Sequence, residues 1–416
     1  MTDVKLSICI PTYNRAPYLR HLLESFLEEK SLGFSYELVI SDNASTDDTG
    51  AVVEEFAAHG LPIRYFRREV NGGGWPNLAN AFQNAAGLYA MYLADDDLLA
   101  FDGLRSAIEY LDANPAVVVC HAPWHLHDAV TGKDERLFYT VDKPRRFEQR
   151  KFGPLLAFIL EGHVFPEIAV YRTDVLRAVI VPRDFCYWAF SYLAQALDMG
   201  AVAFLDKPFY RSVTNSPIAL HREQMGFEET MTAWDRYRGG VEYLIYLGEK
   251  RGQLDLSGDR RMKLAQACGE FTAIRMSVAM RLWAARKEFV KAYELYTRIC
   301  IAGLDKHPDV QRLKEQLPLM ASLQVLARKV NAASVLRYLV LDGFPDAQTV
   351  TRVLHELGLD ASIEVVAMPE EGPVAGMVDA AAVVTSTSAR RELLVKQGFR
   401  SGLVFSEADL VRGIVV

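Results

Sequence analysis

The chain has 416 residues, of which half are hydrophobic and 24% are charged, a composition typical of globular domains. At about 100 to 200 residues per domain, this length predicts two to four domains, each able to bury a core. The net charge of −7 provides no basic surface, so we expect no nucleic acid partner.

Strand and helix patterns alternate through the first third of the chain. Short apolar runs are typical of buried parallel strands, and they occupy residues 6–10, 37–41, 63–67 and 88–94. Segments with apolar residues at helical spacing follow these runs, at residues 19–27, 49–59, 77–86 and 103–112. This alternation predicts an α/β fold, in which a mostly parallel sheet carries helices on both faces.

The remaining chain changes character twice. A further strand is predicted at 117–121, and a polar loop or hairpin at 128–151. Residues 225–332 are rich in helix-forming residues at helical spacing, and residues 333–416 alternate short strands and helices again. We therefore predict three domains, namely an α/β domain at 1–224, an α-helical region at 225–332 and a small α/β domain at 333–416.

Cysteine usage and hydropathy predict the compartment. The five cysteines are scattered without metal-ligand spacing, so we expect reduced thiols. No apolar run approaches the length of about 18 residues that crosses a bilayer, and the first residues lack the pattern of a signal peptide. We expect a cytoplasmic protein, with peripheral association at the inner face of the membrane left open.

Three polar clusters follow three of the predicted strands, at the carboxyl ends where open α/β sheets bind ligands. They are Pro-Thr-Tyr-Asn-Arg at 11–15, the polar segment 41–48, and three consecutive aspartates at 95–97. Because neighbouring carboxylates repel one another, a divalent cation such as Mg²⁺ or Mn²⁺ is the usual partner of such an acidic run. An acidic turn that caps the helix near Gly103 is the alternative, and the convergence of three clusters favours the cation.

Two further features indicate a nucleotide. Asp42 precedes the turn into the second helix, where its carboxylate is placed to accept a hydrogen bond from a nucleobase N–H, whereas Thr46 and Asp47 suit helix capping. The Asn-Gly-Gly-Gly loop at 71–74 precedes a helix, where the backbone can approach a phosphate closely and the helix N-terminus favours negative charge. A plain tight turn is the alternative for this loop.

The order and spacing of these motifs resemble those of the family 2 glycosyltransferases. The matching segments are Ile-Cys-Ile-Pro-Thr-Tyr-Asn-Arg at 8–15, Ile-Ser-Asp-Asn-Ala-Ser-Thr-Asp at 40–47, Asn-Gly-Gly-Gly at 71–74 and Leu-Ala-Asp-Asp-Asp at 93–97. The resemblance covers residues 4–215 and implies a GT-A fold, a nucleotide-diphosphate sugar as donor, and Mn²⁺ or Mg²⁺ as cofactor. Bacterial enzymes that build O-antigen or other surface polysaccharide are the members that look most similar.

The resemblance also implies roles for individual residues. Asp97 is the expected metal ligand that bridges to the diphosphate, Asp95 contacts the ribose or belongs to the metal shell, and Asp96 helps to hold the sugar. His221 is a further candidate near the diphosphate or the metal. The expected donor nucleotide-binding residues are Pro11, Thr12, Tyr13, Arg15, Asp42, Asn43, Gly73, Asn77, Asp95 and Asp96.

The resemblance does not identify the general base. Inverting family members usually carry an acidic pair ahead of a segment like residues 202–211, and the corresponding positions here are Trp188 and Ala189. A base must reach the acceptor hydroxyl, and the candidates are Asp184 and Glu167. We favour Asp184 over Glu167, and a site with neither as base stays open.

These observations predict an enzyme that moves a sugar from a nucleotide-diphosphate donor to a hydroxyl of a glycan or lipid-linked acceptor, with inversion, in bacterial polysaccharide or glycoconjugate assembly. The missing acidic pair leaves a second class open, a non-catalytic relative that binds a sugar nucleotide or glycan in an assembly complex. A nucleotidyltransferase is disfavoured because no glycine-rich, basic loop follows the first strand. The helical region and the C-terminal domain carry no motif, and homo-oligomer formation is one role open to them.

Overall fold

The structure is a computed structural model that describes residues 4–29, 31–180, 185–218, 231–344, 346–369, 372 and 376–414. The chain divides into two compact units, one formed by residues 1–229 with 235–271 and the other by residues 230–234 with 272–416. The finer division into three domains, with boundaries at residues 224 and 332, stays a prediction.

The first unit is built on two β-sheets. Its strands are β1 (Leu6–Thr12), β2 (Tyr36–Asp42), β3 (Ile63–Arg67), β4 (Tyr89–Tyr92), β5 (Leu98–Leu99), β6 (Val117–His121), β7 (His125–Asp128), β8 (Lys133–Leu137), β9 (Arg145–Phe147), β10 (Ala169–Arg172), β11 (Ala201–Phe204) and β12 (Tyr210–Asn215). Within the described residues, eight of them form one sheet in the order β3-β2-β1-β4-β10-β6-β11-β9, and four form a second in the order β5-β12-β7-β8.

Helices follow most of these strands, and several of them contact the larger sheet. Up to residue 285 they are α1 (Ala16–Glu28), α2 (Thr49–Ala58), α3 (Gly74–Asn84), α4 (Phe101–Ala113), α5 (Phe152–Gly162), α6 (Thr173–Ala178), α7 (Trp188–Met199), α8 (Trp234–Lys250) and α9 (Arg260–Ala285). Helix α3 contacts β1 and β2, and α7 contacts β6 and β11. The predicted fold class, a largely parallel sheet in an α/β arrangement, is confirmed.

The parallel half of the larger sheet explains why polar clusters from distant segments can converge. Strand β1 pairs in parallel with β2 and with β4, and β2 pairs in parallel with β3. Apolar residues of β1 such as Ile8 and Ile10 are fully buried, which fixes this strand in the middle of the layer. The carboxyl ends of the four strands therefore share one edge, where Thr12 is level with Asp42.

The second sheet brings β12 against the chain that follows β4. Strand β12 pairs antiparallel with β5 and parallel with β7, which forms a hairpin with β8. The Ala100 N–H donates to the Phe209 carbonyl at 3.0 Å, just ahead of β12. At Gly103 in α4, a Cβ atom would lie 1.8 Å from the Pro208 carbonyl oxygen, so only glycine lets α4 approach the start of β12 this closely.

His121 ends β6 inside the core of the first unit, with none of its surface exposed. Its ring stacks on Phe204 with 4.8 Å between centroids, and the carbonyls of Pro166 and Ile168 lie beside it without well-aligned hydrogen bonds. Burial lowers the pKa of His121 to about 3, so the ring is neutral in the folded protein.

The second unit combines helices with a four-stranded parallel sheet. Its helices are α10 (Phe289–Ile301), α11 (Pro308–Lys314), α12 (Leu317–Asn331), α13 (Ala347–Glu356), α14 (Met377–Ala380), α15 (Ser388–Lys396) and α16 (Glu407–Val411), with a 3₁₀ turn at Ser401–Leu403. Its strands are β13 (Tyr338–Asp342), β14 (Glu364–Ala367), β15 (Ala381–Thr385) and β16 (Val404–Ser406), in the order β14-β13-β15-β16 among the described residues. Asp342 at the end of β13 is held by Arg390 at 2.9 and 3.0 Å and by the Thr385 hydroxyl at 2.8 Å.

Two expectations from composition can be compared with the fold. All five cysteines are free thiols. In the part of the chain that the structure describes, no helix combines the length and the apolar character needed to cross a bilayer.

Replacing Gly103 by alanine should destabilise the first unit by about 1 to 3 kcal/mol, because the added methyl group must displace the Pro208 backbone. Urea unfolding followed by circular dichroism measures the change. Gly269→Ala in α9 is the matched control, since a Cβ atom there meets nothing within 4 Å. Equal stability of the two alanine variants would contradict the close packing of α4 on β12.

Replacing His121 by phenylalanine should remove part of the acid sensitivity of the fold. The folded pKa lies near 3 and the unfolded value near 6.5, so below about pH 6.5 only the unfolded chain takes up this proton. The wild-type protein therefore loses up to about 1.4 kcal/mol of stability per pH unit from this group between pH 6.5 and 3. Urea unfolding at pH 7 and pH 5 should show a smaller decrease for His121→Phe than for wild type. The same decrease in both proteins would refute this role of His121. His59→Phe is the control, because His59 is exposed and its replacement should leave the wild-type decrease in stability unchanged.

Candidate active site

The structure brings all three predicted polar clusters together at the shared sheet edge, where the Thr46 N–H donates to Asn14 Oδ1 at 2.7 Å. The Thr12 hydroxyl donates to Asp95 Oδ2 at 2.7 Å, and both side chains are buried. Arg15 Nε lies 3.0 Å from Asp95 Oδ1, and its guanidinium also binds Asp96. Arg15 therefore pairs with two of the three consecutive carboxylates.

Asp97 has a different environment from its two neighbours. Its Oδ2 accepts a hydrogen bond from the Tyr210 hydroxyl at 2.8 Å, and its Oδ1 accepts one from the Val213 N–H at 2.8 Å. Burial, together with the charges of Glu167 and Asp95, raises the pKa of Asp97 to about 7. Both donors are neutral, so they orient this carboxylate without cancelling its charge.

Tyr210 is a fixed donor at this position. Its side chain is only 2% exposed, and its oxygen accepts a hydrogen bond from the Ala94 N–H at 3.2 Å. Burial and the charge of Asp97 raise the pKa of Tyr210 well above its usual value near 10. The hydroxyl therefore keeps its proton and directs it to Asp97.

Glu167 is the candidate base that the structure places beside the aspartates. It lies between α5 and β10, and its charge contributes to the raised pKa of Asp97. Strand β10 is antiparallel to β4 with Val170 opposite Met91, and Glu167 comes three residues before Val170. The two other predicted residues, Asp184 and His221, lie outside the described residues.

The position expected for the acidic pair is occupied by an aromatic residue. Trp188 begins α7, and its ring meets Tyr92 edge-on with 6.4 Å between centroids. Tyr92 is the last residue of β4, directly before the acidic segment. Position 188 thus lies close to the end of β4 but offers no carboxylate.

Asp42 is buried, and both of its carboxylate oxygens accept hydrogen bonds from neighbouring residues. It is 1% exposed, its Oδ1 accepts from the Ser45 N–H at 2.9 Å, and its Oδ2 accepts from the Tyr65 hydroxyl at 2.5 Å. Arg67 Nε lies 3.7 Å from Oδ2. These contacts organise the turn after β2, a structural role that the sequence analysis did not anticipate.

Asn43 and the glycine-rich loop bind each other. The Asn43 amide donates to Asn71 Oδ1 at 2.8 Å and to the Gly73 carbonyl at 3.1 Å, and its own oxygen accepts from the Gly72 N–H at 3.0 Å. Gly73 has a left-handed backbone with φ of 86°, and a Cβ there would meet nothing within 4 Å, so the loop leaves open space at this point.

Asn77 joins the ends of β1 and β2. Its buried amide donates to the Thr12 carbonyl at 3.2 Å and to the Ser41 carbonyl at 2.8 Å, while its oxygen accepts from the Ser41 hydroxyl at 2.7 Å. Of the remaining predicted donor-binding residues, Pro11 is partly buried and Tyr13 is 41% exposed. Asn77 therefore holds the ends of β1 and β2 together.

The acidic segment fits a divalent cation that shares its coordination with a substrate. No group of three His, Cys, Asp or Glu residues in the described part of the chain is arranged to hold a metal by itself. Mg²⁺ and Mn²⁺ in nucleotide sites, however, commonly use one or two carboxylates and take their other ligands from phosphates and water. Asp97, oriented by neutral donors and crowded by Glu167 and Asp95, has the oxygen chemistry for that role.

Sequence reasoning missed the contribution of β12. Tyr210 and Val213 fix both oxygens of Asp97, and Arg211 from the same strand binds Asp134 on β8 at 2.9 Å. A weak signal exists, since aromatic and β-branched residues such as Tyr210, Val213 and Thr214 are typical of a strand. Nothing in that pattern indicates its partner.

Comparison with known proteins assigns the first part of the chain. Residues 7–180 match the family described as Glycosyl transferase family 2. Abequosyltransferase RfbV of Salmonella typhimurium is 38% identical over 116 residues, which cover 28% of this chain and 35% of that protein. Poly(ribitol-phosphate) beta-N-acetylglucosaminyltransferase TarS of Staphylococcus aureus is 29% identical over 117 residues, 28% of this chain and 20% of TarS.

Solved structures give weaker likenesses. A crystal structure of S. aureus TarS 1-349 with UDP-GlcNAc has a TM-score of 0.48 and 17% identity, covering 79% of this chain and 88% of that one. The mannosyltransferase PcManGT of Pyrobaculum calidifontis, with GDP-Man and Mn²⁺, has a TM-score of 0.42 and 18% identity, covering 79% of this chain and 89% of that one.

The family match coincides with the motifs and with the strands that carry them. The matched segments span about a third and a fifth of the two curated relatives, so the likeness concerns this domain and not the full length of those proteins. Residues 7–180 of the chain therefore form a segment that matches glycosyl transferase family 2.

Proposed function

We propose that the protein is a metal-dependent glycosyltransferase, which moves a sugar from a nucleotide-diphosphate donor to a hydroxyl acceptor with inversion. The family 2 domain supports this reaction class, and the names of two relatives describe transfer of abequose and of N-acetylglucosamine. The observation that carries the proposal is the crowding of Asp95, Asp97 and Glu167 at the end of β4, at the same sheet edge as Thr12 and Asp42.

The donor is proposed to lie along this edge. Tyr13 is exposed enough to contact the base and ribose, and the open space at Gly73 allows close approach of the backbone. Asp97 would hold a Mn²⁺ or Mg²⁺ ion, with Asp95 beside it. When bound, that cation neutralises charge on the departing diphosphate. Arg15 keeps Asp95 and Asp96 in place by pairing with both.

We infer that Glu167 is the general base. A base must lie within reach of the acceptor hydroxyl at the sugar, and among the described candidates Glu167 is the one whose charge reaches Asp97. Glu167 is partly buried. Asp184, preferred from the sequence, stays the competing prediction.

The proposal also includes the class of acceptor and the cellular location of the reaction. We propose a glycan or lipid-linked acceptor in bacterial polysaccharide or glycoconjugate assembly, at the cytoplasmic face of the membrane. The curated relatives support only the polysaccharide context, since each is matched over a minority of its length.

Replacing Asp97 by asparagine should reduce donor hydrolysis and transfer by about 10²- to 10³-fold, because a neutral amide would hold the cation that neutralises the leaving diphosphate much more weakly. The measurement is release of nucleoside diphosphate from UDP-, GDP- and dTDP-sugars with and without Mn²⁺. Asp102→Asn, on an exposed carboxylate of α4, is the matched control and should keep wild-type turnover. Nucleotide binding by the wild type without hydrolysis or transfer would favour a non-catalytic relative.

Replacing Glu167 by glutamine should lower transfer by about 10²- to 10⁴-fold while the donor Kd changes little, because the base acts on the acceptor and not on the donor. Initial rates and donor titrations separate the two quantities. Glu161→Gln, at an exposed position near the end of α5, is the control. Full activity in Glu167→Gln combined with loss in Asp184→Asn would transfer the role to Asp184.

A further inference from the structure

The carboxylate of Asp97 is held by a strand that lies beyond the matched family segment. The match ends at residue 180, whereas both hydrogen-bond donors to Asp97 come from β12, at Tyr210 and Val213. Each carboxylate oxygen accepts one of these bonds at 2.8 Å. Two bonds to two different oxygens fix the plane of the carboxylate as well as its position.

The direction of the Tyr210 hydroxyl is determined by its surroundings. Its oxygen accepts from the Ala94 N–H at 3.2 Å, so its own proton is directed to Asp97 Oδ2. The ring cannot easily move, because it is 2% exposed and its strand is anchored by the 3.0 Å bond between Ala100 and Phe209. The hydroxyl is thus a rigid support and not a mobile ligand.

Asp97 differs from the two neighbouring aspartates in the charge of the groups that bind its carboxylate. Asp95 and Asp96 bind the cationic Arg15. In the described part of the chain, the hydrogen bonds to Asp97 come from a phenol and a backbone amide, which orient a carboxylate and leave its charge for a cation. Hydrogen bonds of this kind to a metal ligand typically change metal affinity by about 10- to 100-fold.

We propose that Tyr210 is a positioning residue that holds the carboxylate of Asp97 in the orientation in which it binds the divalent cation of the donor diphosphate, a role that rests on the proposed function. Tyr210 itself contacts neither the cation nor the sugar in this proposal. The functional unit therefore extends past the matched segment to include β12.

Replacing Tyr210 by phenylalanine keeps the ring and removes the hydroxyl. Mn²⁺ is titrated in the presence of whichever of UDP, GDP or dTDP the wild type binds, and the free ion is followed by electron paramagnetic resonance. We expect Mn²⁺ affinity to fall by about 10- to 100-fold in Tyr210→Phe. Incorporation of 4-aminophenylalanine at position 210, which retains a neutral donor, should restore most of the affinity.

Tyr89→Phe is the matched control. Tyr89 is 1% exposed, and its hydroxyl also donates to a carboxylate, Asp112 Oδ1 at 2.8 Å, but at the opposite end of β4. It should lose stability as Tyr210→Phe does and keep wild-type Mn²⁺ affinity. If Tyr210→Phe does not fold, 4-fluorophenylalanine at position 210 fills the hydroxyl volume without donating and is expected to show the same loss.

The outcomes separate the two proposals. Wild-type Mn²⁺ affinity in the variant that lacks the donor at position 210 would overturn the role of Tyr210 and leave the proposed function standing. A wild-type protein that binds none of the three nucleotides with Mn²⁺ would overturn the proposed function, and the role of Tyr210 with it.

Discussion

The site depends on how the protein accommodates several carboxylates in a small, largely buried space at the end of β4. Buried ionised groups are costly unless they are paired or hydrogen-bonded. Arg15 pairs with Asp95 and Asp96, whereas in the described part of the chain Asp97 receives neutral donors and has a pKa raised to about 7. Among the described residues, Asp97 is thus the one of the three aspartates that is hydrogen-bonded by neutral groups and not by Arg15. On this account Asp97 binds a divalent cation that arrives with the nucleotide diphosphate.

The two sheets of the first unit bring the residues that support these carboxylates to the end of β4. Parallel pairing of β1 with β2 and β4 brings Thr12 to the same edge as Asp42 and within 2.7 Å of Asp95. The second sheet delivers β12 to Asp97 from a distant part of the chain, and the absence of a side chain at Gly103 lets α4 lie against the start of that strand. Support for the acidic segment thus comes from both sheets, which restricts its motion before any ligand binds.

Local patterns predicted the strands β1, β2 and β4 and the polar residues that follow them, because a short apolar run with polar residues after it is a signal within a few residues. They did not predict the partner of Asp97, since Tyr210 is 113 positions away and its pairing depends on tertiary structure. Asn43 and the glycine-rich loop were each predicted to contact nucleotide, which stays a prediction, and the structure adds that they bind each other. Glu167 ranked second from the sequence, because only the antiparallel insertion of β10 beside β4 places it near the aspartates.

The central claim is that Asp97 binds a divalent cation together with the donor diphosphate. Crystals grown with Mn²⁺ and the nucleoside diphosphate that the protein binds best test it most directly, through anomalous diffraction at the manganese edge. The account predicts an anomalous peak in contact with Asp97 and with diphosphate oxygens, next to the end of β4. A nucleotide bound at the sheet edge with no metal at Asp97, or with the metal held elsewhere, would contradict it.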